Sequence, residues 1–284
     1  MWWFLLVMIG VGGLAQLIDG SLGMGFGVSG SSLLVTIGLA PAIASASVHT
    51  AEVVTTLASG TAHLRLGNVD KSIFVSLVVP GCLGGIIGAI FLSGMNPNDA
   101  RPAVGTILFV LGAFILFRFL RKTVPKVRAK SKTRVALLGF CAATIDAFGG
   151  GGWGPIATPG LILSENHDPR KAIGTVNLAE FFVTVSITAT FMILLGAQNL
   201  PWDWVAAIAV GGVVIAPFAA YATKRIPTPS LGVLVGVLLM LLNGKTIVGY
   251  FLPLSPYLLT LTTAGALAVM AVTVLWKAIR PSTA

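Results

Sequence analysis

Apolar residues fall along this chain in runs near the roughly 20 residues that carry a helix across a bilayer. The runs cover about 2–18, 22–39, 43–64, 72–93, 102–120, 135–148, 152–163, 171–197, 202–222, 230–250 and 256–277. Two of them, 135–148 and 152–163, are too short to cross a core about 30 Å thick as independent helices. Glycine separates that pair, as it separates 2–18 from 22–39. Both pairs predict broken helices or hairpins that meet inside the membrane, where irregular backbone is tolerated only if protein or a water-filled cavity surrounds it. The predicted fold class is all-α, a polytopic membrane helix bundle.

Composition agrees. The chain has 284 residues, of which 56% are hydrophobic and only 10% charged, against roughly 25% charged in soluble domains. Its 34 glycines suit close helix packing in lipid. Cys82 and Cys141 lie in apolar runs and read as small core hydrophobes. The start, Met1-Trp2-Trp3-Phe4, lacks the positive region of a signal peptide and reads as mature sequence. The formal charge of +9 sits between apolar runs, which is the pattern of topology signals, so no nucleic-acid partner is expected. The loop holding Arg121, Lys122, Lys126, Arg128, Lys130, Lys132 and Arg134 is assigned to the cytoplasm. Arg65 and Lys71 then lie inside, and Asp99 and Arg101 outside. If the pair 135–163 returns to the side it entered from, Arg170, Lys171, Lys224, Arg225, Lys277 and Arg280 also lie inside, with Lys245 alone outside. If the pair crosses once, all of these are reversed, so the returning pair is favoured.

The chain also repeats itself. Ile18-Asp19-Gly20, Gly23-Met24-Gly25-Phe26-Gly27, Pro41 and Thr50-Ala51-Glu52 recur as Ile145-Asp146-Ala147, Gly150-Gly151-Gly152-Trp153-Gly154, Pro169 and Leu178-Ala179-Glu180, at an offset constant to within one residue. The expected organisation is a first repeat at 1–121, a basic linker at 122–134, a second repeat at 135–250 and an extra C-terminal helix at 251–284. An odd number of crossings per repeat inserts the second copy upside down, the inverted-repeat architecture of alternating-access carriers.

Asp19, Glu52, Asp146 and Glu180 fall in or beside apolar runs, with no Lys or Arg deep in a run to pair them. A carboxyl taken out of water without a cation favours its neutral form. The four are candidates for proton coupling, or for structural donation to carbonyls freed by the glycine breaks. Gly23, Gly25 and Gly27, with Gly150, Gly151, Gly152, Trp153 and Gly154, open new helices whose first N–H groups can bind a small anion; close packing is the alternative use of the glycines. His49 and Glu52 share a helix face, as do Asn177 and Glu180, so His49, Thr50 and Asn177 are candidate hydrogen-bonding groups on a path. His63 is four turns from His49 and His167 lies in a loop, so no metal site is expected.

The glycine breaks, Pro41 with His49-Thr50-Ala51-Glu52, Asp168-Pro169 with Asn177-Leu178-Ala179-Glu180, and the basic central loop resemble the sulfite exporter TauE/SafE family of membrane permeases along essentially the whole chain. The resemblance implies a multi-pass protein of the cytoplasmic membrane that moves sulfite or a related sulfur-containing anion. The expected partners are that small anion, the lipid bilayer and protons as coupling ion, with a homo-oligomer left open; no cofactor and no enzymatic activity are expected. Two rivals stay open: a cation carrier using the buried acids, and an intramembrane enzyme built on His49 with Glu52 or Ser29.

Overall fold

The computed structural model describes residues 2–22, 24–120, 131–164, 168–225, 228–252, 255, 261–263 and 265–266. These form α1 (Trp2–Leu22), α2 (Phe26–Thr36), α3 (Pro41–Arg65), α4 (Lys71–Gly94), α5 (Pro97–Leu120), α6 (Lys132–Gly149), α7 (Trp153–Ser164) and α8 (Pro169–Phe191). A π-helical turn, Met192–Gly196, and a 3₁₀ turn, Ala197–Asn199, lead to α9 (Trp202–Arg225) and α10 (Thr228–Phe251). Among the described residues there is no strand. The first ten predicted runs each overlap one of these helices. Most of 256–277 and of the linker 122–134 lies outside the described residues, as does Gly23.

Among the described residues, five helical segments are long and apolar enough to cross a membrane: Trp2–Asp19, Lys71–Gly94, Pro97–Leu120, Arg170–Asn199 and Gly232–Phe251. Their outward side chains, such as Phe91, Val110, Phe117 and Val75, are exposed on the bundle surface, the apolar belt expected against lipid. Cys82 is half-buried and Cys141 exposed; Cys141 therefore belongs to that outer surface and not to the core, because its position on α6 faces away from the α4 contact that the glycines make. The 25 residues of α3 span about 37 Å, yet their serines, threonines, His49 and Glu52 make it less apolar. It is accommodated because it packs among α2, α8 and α9.

Helix pairing is unchanged when the first five helices are exchanged with the last five. α1 lies along α9 and α6 along α4, while α3 lies along α8 and α5 along α10. Glycine permits the approach in both paired contacts: Gly84 and Gly88 of α4 sit against the Phe140 and Thr144 carbonyls, and Gly211 of α9 sits against that of Ile9.

The two helix breaks meet at the centre. Gly25 (φ 120°) and Gly150 (φ 73°) adopt left-handed backbone that other residues rarely reach. A Cβ added to Gly27 would lie 2.9 Å from Gly151 Cα and 3.3 Å from Glu52 Oε1. The breaks therefore touch backbone to backbone beside a carboxyl group.

Candidate functional site

Along α3 a stripe of polar residues follows the helical period: Glu52, Thr55 and Thr56, Ser59, His63. It forms one wall of a cavity of about 210 Å³, equivalent to about seven waters at roughly 30 Å³ each. Gln16 and Asp19 of α1, Phe26 of α2, and Ile173, Asn177 and Glu180 of α8 supply the rest. Among the described residues three carboxyl groups line it, and no lysine or arginine does. His63 belongs to the last turn of α3, beside Arg65, and Ile173 to the first turns of α8, near Lys171. At that end Lys171 Nζ donates to the Gly67 carbonyl at 2.9 Å. The cavity thus runs from the basic end of the bundle to Glu52, where the crossed glycine breaks close it.

Two carboxylates cap the short helices that begin at the breaks. The Phe26 N–H donates to Asp19 Oδ1 at 3.4 Å, and the Trp153 N–H donates to Asp146 Oδ1 at 3.1 Å. These are the helix N-termini at which an anion was expected; in each, the first N–H already donates to a side-chain carboxyl oxygen. Asp146, predicted to lack a partner, has one: His49 Nε2 lies 3.1 Å from Asp146 Oδ2. Sequence spacing could not reveal a contact across the two halves. His49 Nδ1 lies 2.8 Å from the Ser45 carbonyl, which can only accept, so Nδ1 carries hydrogen. The Nε2–Oδ2 contact then holds one shared proton. Whether it resides on the imidazole or the carboxyl, the pair has zero net charge.

Further links join the halves on this side of Glu52. Ser45 Oγ donates to the Ala147 carbonyl at 2.8 Å, and Ser31 Oγ donates to the Gly150 carbonyl. Trp153 is fully buried, with its indole N–H given to the Val176 carbonyl at 3.1 Å. Thr50 Oγ1 is returned to its own helix at the Ala46 carbonyl, 2.6 Å away.

Of the predicted residues, Asp19, Glu52, Glu180 and Asn177 line the cavity, whereas His49 and Asp146 lie in the closed layer next to it. Gly25, Gly27, Gly150, Gly151, Gly152 and Gly154 form the crossing and do not appear in the cavity wall. Sequence reasoning missed Gln16, Thr55, Thr56, Ser59 and His63. The signal was present in the α3 stripe, which continues the face of Glu52 for three turns. Among the described residues no group of three or more His, Cys, Asp or Glu side chains is placed to hold a metal ion.

Comparison with known proteins agrees with this architecture. The family model for the sulfite exporter TauE/SafE matches residues 8–246. The chain is 45% identical over 248 residues to the "Probable membrane transporter protein YtnM" of Bacillus subtilis (strain 168), covering 86% of this chain and 83% of that protein. No solved structure matches it.

Proposed function

We propose a transport cycle on one established premise: the chain belongs to the sulfite exporter TauE/SafE family of membrane transporters. The substrate is a small sulfur-containing anion such as sulfite, moved by alternating access between two inverted halves, with protons as coupling ions. One observation carries this reading, the small polar cavity lined by Asp19, Glu52 and Glu180, with His63 at one end and, among the described residues, no lysine or arginine. The His63 end of the cavity lies toward Arg65 and Lys171, and the basic residues at that end support a cytoplasmic mouth.

The charge balance dictates the order of events. An ionised carboxylate about 4 Å from an anion opposes it by about 4 kcal/mol at an effective dielectric of 20. One such group is enough to cancel most of the affinity of a millimolar binder. The cavity carboxyls therefore take up protons before or with the anion, and Thr55, Thr56, Ser59, Asn177 and the protonated acids donate hydrogen bonds to its oxygens. Asp19 has the further task of capping α2, and Asp146 is held with His49, so Glu52 and Glu180 are the principal coupling residues.

Labelled sulfite flux in proteoliposomes under an imposed pH gradient tests this. Glu52→Gln and Glu180→Gln should each lower gradient-driven flux at least tenfold and flatten its dependence on pH. Unchanged flux and pH dependence in both variants would remove the coupling role. A second reading, a cationic solute held by the three carboxylates, is favoured by the same lack of cationic side chains; uptake of a cation with no response to sulfite would establish it.

A further inference from the structure

Counterpart residues in the two halves occupy opposite states. The cavity wall contains Gln16, Thr55, Thr56, Ser59 and His63. Their counterparts, at the offset of the acid pairs, are Ala143, Val183, Thr184, Ile187 and Phe191, and each of these is 0% exposed. The closed stretch of α8 is pressed against α4: a Cβ on Gly85 would lie 2.7 Å from Ile187 Cγ1, and one on Gly81 3.0 Å from Val183 Cγ2.

The links between halves divide in the same way. His49 is joined to Asp146 at 3.1 Å, but their counterparts Asn177 and Asp19 are apart. Asn177 Oδ1 accepts from Ser59 Oγ at 2.6 Å and its Nδ2 donates to the Ile173 carbonyl at 3.0 Å, while Asp19 accepts from Phe26. Both line the open cavity. Ser31 is bonded to Gly150, but its counterpart Thr158 keeps a buried hydroxyl with no partner among the described residues.

We propose that Ala143, Val183, Thr184, Ile187 and Phe191 are the wall of a second, outward half-channel, closed here by the His49–Asp146 link. That channel opens when the link parts and Asp19 engages Asn177 across the present cavity. This rests on the alternating-access reading of the preceding subsection. Physically, the exchange gives up the His49–Asp146 bond and makes an Asn177–Asp19 bond in return, and it offers the Thr158 hydroxyl, unpartnered among the described residues in this state, a way to bond. The Ser59–Asn177 bond must break for the inner side to close.

Thiol labelling in membranes tests the proposal without any substrate. In a background carrying Cys82→Ser and Cys141→Ser, Ser59→Cys reports on the inner wall and Ile187→Cys on the outer one. Val183→Cys serves as the outer reporter if Ile187→Cys does not fold. With a small water-soluble thiol reagent, Ser59→Cys should react at least tenfold faster than Ile187→Cys. Adding His49→Ala should raise labelling at Ile187→Cys about tenfold and lower it at Ser59→Cys; Ser45→Ala, which cuts the Ala147 link, is scored the same way if His49→Ala is unstable. Adding Asn177→Ala should leave Ile187→Cys protected. Labelling that rises at both reporters together, or at neither outer reporter, overturns the exchange. Sulfite flux is not read in this assay, so failure of the sulfite assignment leaves the labelling pattern intact, and failure of the exchange leaves the cavity chemistry standing.

Discussion

α3 and α8 pack against each other and carry acids at matching positions, Glu52 and Glu180, yet their walls beyond those acids differ in chemistry. On α3 the wall is Thr55, Thr56, Ser59 and His63, and it borders the cavity. On α8 it is Val183, Thr184, Ile187 and Phe191, and it is packed away. Even the shared threonines behave alike, Thr56 returning its hydroxyl to the Glu52 carbonyl and Thr184 to that of Glu180. The difference lies in the apolar members. Wetting Val183, Ile187 and Phe191 would forfeit roughly 1.5–3 kcal/mol for each side chain fully exposed, whereas wetting the α3 wall costs far less. A duplicated scaffold can thus have an energetically lopsided cycle, resting with the polar side open.

The strongest way to break this contrast is to give α8 the α3 residue. Ile187→Ser should destabilise the protein by roughly 2–5 kcal/mol through the cavity and lost burial, read as a fall in melting temperature in detergent. Ser59→Ile loses the bond to Asn177, should cost only about 1 kcal/mol and should block the cavity; equal destabilisation by the two would show that the walls are not different. A smaller effect separates the glycines behind them. Gly85→Ala drives a methyl group to 2.7 Å from Ile187 and should cost roughly 1–3 kcal/mol. On α9, Gly212→Ala meets Phe26 Cε2 at 3.3 Å and should cost less than about 1 kcal/mol. Similar shifts in melting temperature for both would contradict tighter packing on the α8 side. Smallest, Ser59→Ala removes the donor to Asn177 and should cost about 1 kcal/mol, with faster closure of the inner side; slower closure would mean that the bond does not hold it open.

The helices were legible because a bilayer allows few alternatives: runs of apolar residues between basic loops leave little else to form. The breaks at Gly25 and Gly150 were legible for the same reason, since glycine clusters divide runs too short to span. Three of the acids do share one cavity. What could not be read was which surfaces face each other across the halves. His49 and Asp146 lie far apart in sequence, so their pairing needed the crossing of α3 and α6. The glycines were legible as ligand cradles or as packing contacts alike, and their use as a backbone crossing depends on Gly27 meeting Gly151. Thr55 and Ser59 were overlooked because hydroxyls in a membrane helix commonly satisfy themselves on their own backbone, as Thr55 does at the Glu52 carbonyl.

The proton shared by His49 and Asp146 has an electrical consequence. Moving one elementary charge through a 100 mV membrane potential is worth about 2.3 kcal/mol. A pair whose two protonation arrangements both sum to zero experiences almost none of that force when it moves as a unit. Voltage therefore has little grip on the joined pair, and the field can act on these two residues only once the link parts with the proton on one of them.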